Sequence, residues 1–118
     1  MKNKSINSAK DKLIVSISGD KEKVVVEMDV INRAELTLRA ISNPLRQKLL
    51  ELIEGSGEIG VSEMYRKLKI EQSVTSAQLG ILRRANVVNA KRDGRNIHYS
   101  INRKRIAEII NLASALSK

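Results

Sequence analysis

The sequence contains no cysteine, which excludes disulfides, thiolate nucleophiles and thiolate metal sites together. Phe and Trp are absent too, and the aromatic content is Tyr65 and Tyr99 alone. Single-stranded nucleic acid is held by stacking bases on aromatic platforms, each contributing roughly 1–3 kcal/mol, and two tyrosines supply little of that. Leu, Ile and Val must therefore fill the core, a composition suited to packed helices. Histidine occurs once, as His98, and one imidazole with scattered carboxylates does not make a tetrahedral metal site. Nor do the residues cluster as nucleophilic or general acid–base catalysis requires. Gly55 to Gly60 is too short for a phosphate loop and has no Lys-Ser or Lys-Thr sequel. The expectation is a protein that is not an enzyme and carries no metal or other cofactor.

Long hydrophobic runs are missing as well. Leu13 to Ile17 is too short for a signal peptide, and nothing approaches the roughly 20 apolar residues of a membrane span. A cytoplasmic protein with no membrane partner is expected. The 118 residues suit one domain.

Positive charge is abundant. The net charge is +9, and residues 83 to 105 contain Arg83, Arg84, Lys91, Arg92, Arg95, Arg103, Lys104 and Arg105 against one acid, Asp93. A polyanion is the implied partner, and the scarcity of aromatics favours double-stranded DNA.

The chain divides into a polar tail (1–12), an extension (13–29) and a main domain (30–118). In the extension, Leu13 to Ser18 and Lys23 to Met28 flank Gly19-Asp20 and predict a β-hairpin, although Val24 to Ile41 could instead form one long helix. Helical spacing of Ile31, Ala34, Leu38 and Ile41 predicts a first helix over 30–41. Asn43 is suited to N-cap and Pro44 to open a second helix, running to about Glu54 with Leu45, Leu49, Leu50 and Ile53 inward. After a short strand at 59–61, Ser62 is expected to cap a third helix carrying Met64, Tyr65 and Leu68. A fourth follows over about 72–85, giving helix, tight turn, helix. Asn86 ends it. Residues 87–92 and 96–101 form a hairpin about Asp93-Gly94, and a last helix spans about 102–116. The fold class is mainly α with a small β-wing, a dimeric winged helix-turn-helix.

The fourth helix changes character along its length. Gln72, Ser73, Thr75, Ser76 and Gln78 are short or amide-bearing, as reading base edges in a groove demands, although Ser73 could serve only as a cap and Thr75 could equally pack inward, whereas Leu79, Leu82 and Ala85 anchor the second half. The amides could pair bidentately with adenine. In the hairpin, Arg92 and Arg95 lie near the tip, and a guanidinium suits a narrow minor groove; Arg83, Lys91 and Asn96 are further candidates for wing and phosphate contacts. On the last helix, Ile106, Ile109, Ile110, Ala113 and Leu116 form an apolar stripe that self-association would bury.

Three segments carry a resemblance: Ala40-Ile41-Ser42-Asn43-Pro44-Leu45-Arg46, Gln72-Ser73-Val74-Thr75-Ser76-Ala77-Gln78-Leu79-Gly80-Ile81-Leu82, and Arg92-Asp93-Gly94-Arg95-Asn96-Ile97-His98-Tyr99-Ser100. With them, residues 34 to 101 resemble the ArsR-type winged-helix repressors. The resemblance implies a homodimer joined through its first and last helices, with Ile31 and Leu38 among the contacts, a recognition helix in each major groove and a wing at each minor groove. It departs from the family in having Gln78-Leu79 where His-Leu is common. It also lacks the cysteines of the third helix and the His and acidic set of the last helix through which many members bind metal; Glu108 stands there alone, so no metal is expected, and no inducer is identified. The same fold used as a protein-interaction module without DNA readout is the alternative, which should expose an apolar patch rather than a basic stripe.

Overall fold

The computed structural model describes residues 12–17, 19 and 22–118. The expected polar tail, apart from Lys12, and the turn residue Asp20 lie outside the described residues. The chain separates into two compact units, one ending at Leu36 and the other beginning at Thr37.

In the first unit, β1 (Lys12–Ile17) and β2 (Glu22–Glu27) form an antiparallel hairpin, so the hairpin reading holds and the single long helix does not. Lys12 belongs to the strand and pairs with Glu27. Leu13 pairs with Val26 and Val15 with Val24, which places these four apolar side chains on one face. Helix α1 (Met28–Ile41) follows β2 with no intervening residue, starting two residues before the expected Val30.

The second unit begins within α1. Asn43 stops that helix and starts the next: its Oδ1 accepts from the backbone N–H groups of Leu45 (2.9 Å) and Arg46 (3.0 Å), and Pro44 occupies the position where no N–H is needed. Helix α2 (Pro44–Ser56) runs through Gly55 and ends at Gly57, which takes φ +80°. A short β3 (Ile59–Gly60) leads into α3 (Val61–Leu68). Ser62 is not its cap. The helix has already begun at Val61, and Gly60 precedes it without a side-chain bond.

Lys69 adopts a left-handed conformation, φ +57°, and turns the chain into α4 (Gln72–Arg84). Asn86, at φ +68°, redirects it into β4 (Val88–Asp93), and β5 (Asn96–Ile101) returns beside it. The sheet order is β3-β5-β4, all antiparallel. Asn102 caps the last helix, α5 (Arg103–Leu116), accepting from Arg105 N–H at 3.2 Å, while its Nδ2 donates to the Asn86 carbonyl at 2.9 Å. One asparagine thus ties the end of the helix-turn-helix to the start of the last helix.

Leu49 and Ile53 of α2, Met64 of α3, Leu79 and Leu82 of α4, Val87, and Val88 and Tyr99 of the wing form one buried cluster. Fully burying such a side chain contributes roughly 1.5–3 kcal/mol. α4 is therefore anchored by packing against α2, α3 and β4, and its outer face keeps a fixed direction.

Candidate nucleic-acid interface

The α3-turn-α4 unit has the shape of a helix-turn-helix, in which the second helix faces a groove. On the first half of α4, Gln72, Ser73 and Ser76 are exposed. Their short side chains stand on a helix whose second half is locked by Leu79 and Leu82, both with no exposed surface.

Thr75 takes the inward-packing alternative. It is fully buried, at 0% exposure, and its Oγ1 donates to the Glu71 carbonyl at 3.0 Å. The reason is helical period: positions 75, 79 and 82 fall at i, i+4 and i+7 and share one face. Thr75 is a packing residue of the helix, not a base-reading one.

Gln78 is half-buried, and its Oε1 accepts from Arg46 Nη1 at 2.7 Å. Arg46 is itself only 9% exposed and spends its other groups on backbone: Nε donates to the Ala40 carbonyl and Nη2 to the Arg39 carbonyl at 3.2 Å. A buried guanidinium is tolerated when its donors are satisfied in this way. Sequence reasoning overlooked Arg46 although the spacing held the signal, since 46, 49 and 53 fall on the same buried face of α2.

The wing is a two-residue hairpin closed by the Asp93–Asn96 pair. Its centre is Gly94-Arg95, one residue later than expected. Gly94 takes φ +65° and Arg95 does not take positive φ, the glycine-first pattern that matches strand twist. Arg95 therefore occupies the tip itself. Arg92, Lys91 and Asn96 are exposed beside it, as is Arg83 near the end of α4. Register sets Arg92 opposite Ile97 and Lys91 opposite His98, so the two cations leave opposite faces of the ribbon. His98 also stands opposite Gly60, where an added Cβ would come within 3.5 Å of the imidazole. It is a packed strand residue.

The basic stretch divides by use. Arg103 pairs with Glu54 at 2.8 Å. Arg105 is half-buried, donating to the Ala85 carbonyl and to Thr37 Oγ1 and lying 3.5 Å from Glu108. These two serve the fold. No carboxylate among the described residues pairs with Arg83, Lys91, Arg92 or Arg95, so their charge is available to a polyanion.

The apolar stripe of α5 also divides. Ile109 is 6% exposed and belongs to the core, which corrects its assignment to a dimer surface. Ile106, on α5, and Leu38, on α1, are half-buried against the same core, and Ala113 is half-buried. Ile110 (57%), Leu112 (45%) and Leu116 (71%) are exposed. Leu112 was missed, because it lies off the predicted stripe. Ile31, in the first unit, is exposed.

Among the described residues no group of three or more His, Asp or Glu side chains is placed to hold a metal ion, and no helix is long and apolar enough to cross a membrane.

No family model matches the sequence, but individual proteins do. The chain is 34% identical over 73 residues to the transcriptional repressor SdpR of Bacillus subtilis, covering 62% of this chain and 80% of that protein. It is 32% identical over 89 residues to an uncharacterized HTH-type transcriptional regulator of Methanocaldococcus jannaschii, covering 75% of this chain and all of that one. Among solved structures, it superposes with TM-score 0.63 on a homodimeric winged helix-turn-helix domain from Mycobacterium bovis, a possible ArsR-family regulator, at 20% identity over 87% of this chain and 90% of that one. Sequence and fold agree: the chain belongs to the HTH-type transcriptional regulators and has the winged helix-turn-helix fold.

Proposed function

We propose that the protein is a homodimeric, sequence-specific binder of double-stranded DNA that represses transcription, with α4 in the major groove and the β4–β5 wing at the minor groove. Gln72, Ser73, Ser76 and Gln78 read or position α4. Arg95 enters the minor groove, and Arg92, Lys91, Asn96 and Arg83 meet sugar and phosphate. The observation that carries this is the contrast on one rigid unit: a polar, exposed half-helix and an uncompensated cationic hairpin tip, both fixed to the same buried cluster. A regulator so built acts in the cytoplasm and performs no catalysis.

Dimerisation falls to exposed apolar residues of α5, Ile110, Leu112 and Leu116. An isologous pair of such surfaces gives the two-fold symmetry that an inverted repeat requires.

Selection from a random duplex library tests the reading. An enriched inverted repeat with half-sites about one helical turn apart, roughly 34–36 Å, supports it; a pool with no enriched sequence contradicts it.

A further inference from the structure

We infer that the β1–β2 hairpin is an interaction surface for a second copy of this chain: β2 pairs antiparallel with β2 of that copy, about a two-fold axis at Val25, to make a four-stranded sheet. The inference does not depend on the DNA-reading role of α4.

A two-stranded hairpin alone is marginal in water, and three or more strands with a hydrophobic face are needed for independent stability. Here β1 and β2 form a sheet of two strands, and among the described residues no third strand lies beside either. The ribbon is nevertheless aliphatic. Leu13, Ile14, Val15, Ile17, Val24 and Val25 are all exposed, and Val24-Val25-Val26 gives β2 an edge of consecutive β-branched residues. Register places Leu13, Val15, Ile17, Val24 and Val26 on one face, and Lys12, Ile14, Ser16, Lys23, Val25 and Glu27 on the other. An edge of this kind invites a further strand unless proline, a bulge or charge blunts it. The charges of β2, Glu22, Lys23 and Glu27, stand only at its ends.

The positions of those charges choose both partner and register. Directly opposed residues of an antiparallel pair share a face, so two copies of β2 keep their apolar faces on one side only when both opposed numbers are even or both are odd. Centring the two-fold on Val25 meets this condition. It sets Val24 against Val26 of the second copy, Val25 against itself, and Lys23 against Glu27 of the second copy, twice over by symmetry. Opposite charges directly across a strand pair stabilise it, and like charges destabilise it. Neither Lys23 nor Glu27 has an ion-pair partner among the described residues of its own chain. Other registers lose the match: centring on Val24 opposes Lys23 to Val25, centring on Val26 opposes Val25 to Glu27, and a centre between Val24 and Val25 opposes Glu22 to Glu27. β1, with Lys12 as its one charge, offers no such self-pairing. Six residues of strand edge fall short of the roughly 1,000 Å² of a stable interface, so this contact adds to the α5 seam rather than replacing it.

Because the chain has no cysteine, a single introduced thiol reports the contact without ambiguity. In the full-length protein, Val25→Cys should give a disulfide-linked dimer on mild oxidation, read on a non-reducing gel. The opposed Cα atoms stand about 4.5–5.5 Å apart, within the roughly 4.4–6.8 Å that a disulfide spans. Ile14→Cys changes another exposed residue, but on the outer strand, about 14 Å from its copy across three strand spacings, and should link only at the rate of chance collision. Adding Lys23→Glu to the Val25→Cys protein opposes like charges twice and should slow linking roughly tenfold. A second variant combines Val25→Cys with Glu27→Lys and Lys12→Glu, the last keeping opposite signs across its own β1–β2 pair; alone it should link as slowly. Mixed, the two should recover the rate of Val25→Cys, because every charge pair between unlike copies is then attractive. Linking by Ile14→Cys as fast as by Val25→Cys, or a mixture that links no faster than its parts, overturns the inference. Failure of both single-cysteine proteins to link overturns it too and leaves the hairpin to a different partner.

Discussion

Replacing Thr75 by valine separates packing from recognition within α4. Threonine and valine have nearly the same shape, so the buried site stays filled. The hydroxyl bond to Glu71 is lost, but the Glu71 carbonyl keeps the backbone N–H of residue 75 at 3.0 Å, so no buried acceptor is orphaned. The cost is that of one hydrogen bond with its partner still satisfied, about 0.5–1.5 kcal/mol at most. In a domain of this size that lowers the melting temperature by no more than roughly 4–8 °C. Affinity for the selected operator, measured by gel-shift titration on protein that is fully folded, should be unchanged within twofold, because a fully buried side chain offers DNA nothing. A loss of tenfold or more with a near-normal melt would refute the reasoning, since it would place the hydroxyl on the DNA.

Other substitutions test the remaining parts. Arg95→Ala should weaken DNA binding in a gel-shift titration while leaving the melting temperature within a degree or two, since Arg95 is exposed at the wing tip; unchanged affinity would remove Arg95 from the interface. Adjacent isoleucines on α5 should part company: Ile109→Ala should cost about 2–5 kcal/mol of stability by opening a cavity, whereas Ile110→Asp should leave the fold stable and shift sedimentation from dimer to monomer. A dimer unaffected by Ile110→Asp would move the seam elsewhere. Asn43→Ala, which frees the N–H groups of Leu45 and Arg46, should cost about 1 kcal/mol in chemical denaturation; no loss would mean that water serves those donors equally well.

The sequence made legible the features that local chemistry decides. Asn43-Pro44 marks a helix start because a side-chain acceptor precedes a residue without an N–H, and Asp93-Gly94 marks a hairpin because only glycine takes positive φ without strain. Features decided by which way a face turns were harder. The change along α4 from polar to apolar was read as a division by length, whereas the period around the axis buries Thr75 with Leu79 and leaves Ser76 outside. On α5 two neighbouring isoleucines look alike in sequence, and only packing into the buried cluster commits Ile109 inward while Ile110 stays outward. Arg46 and Arg105 were legible as charge but not as anchors, because arginine on a buried helical face is unexpected until carbonyl partners are seen. The family resemblance conveyed the architecture; the use made of each cation came from the contacts.

Fluorescence anisotropy of the purified protein with its selected duplex, titrated from low to moderate salt, tests the central claim most directly. The unpaired Arg83, Lys91, Arg92 and Arg95 on α4 and the wing should give a steep fall of affinity, a slope of about −0.9 per phosphate contacted in the logarithm of the association constant against log salt concentration, with the selected duplex bound more tightly than a scrambled one throughout. Absence of binding at low salt, or equal affinity for the two duplexes at every salt concentration, would contradict the account.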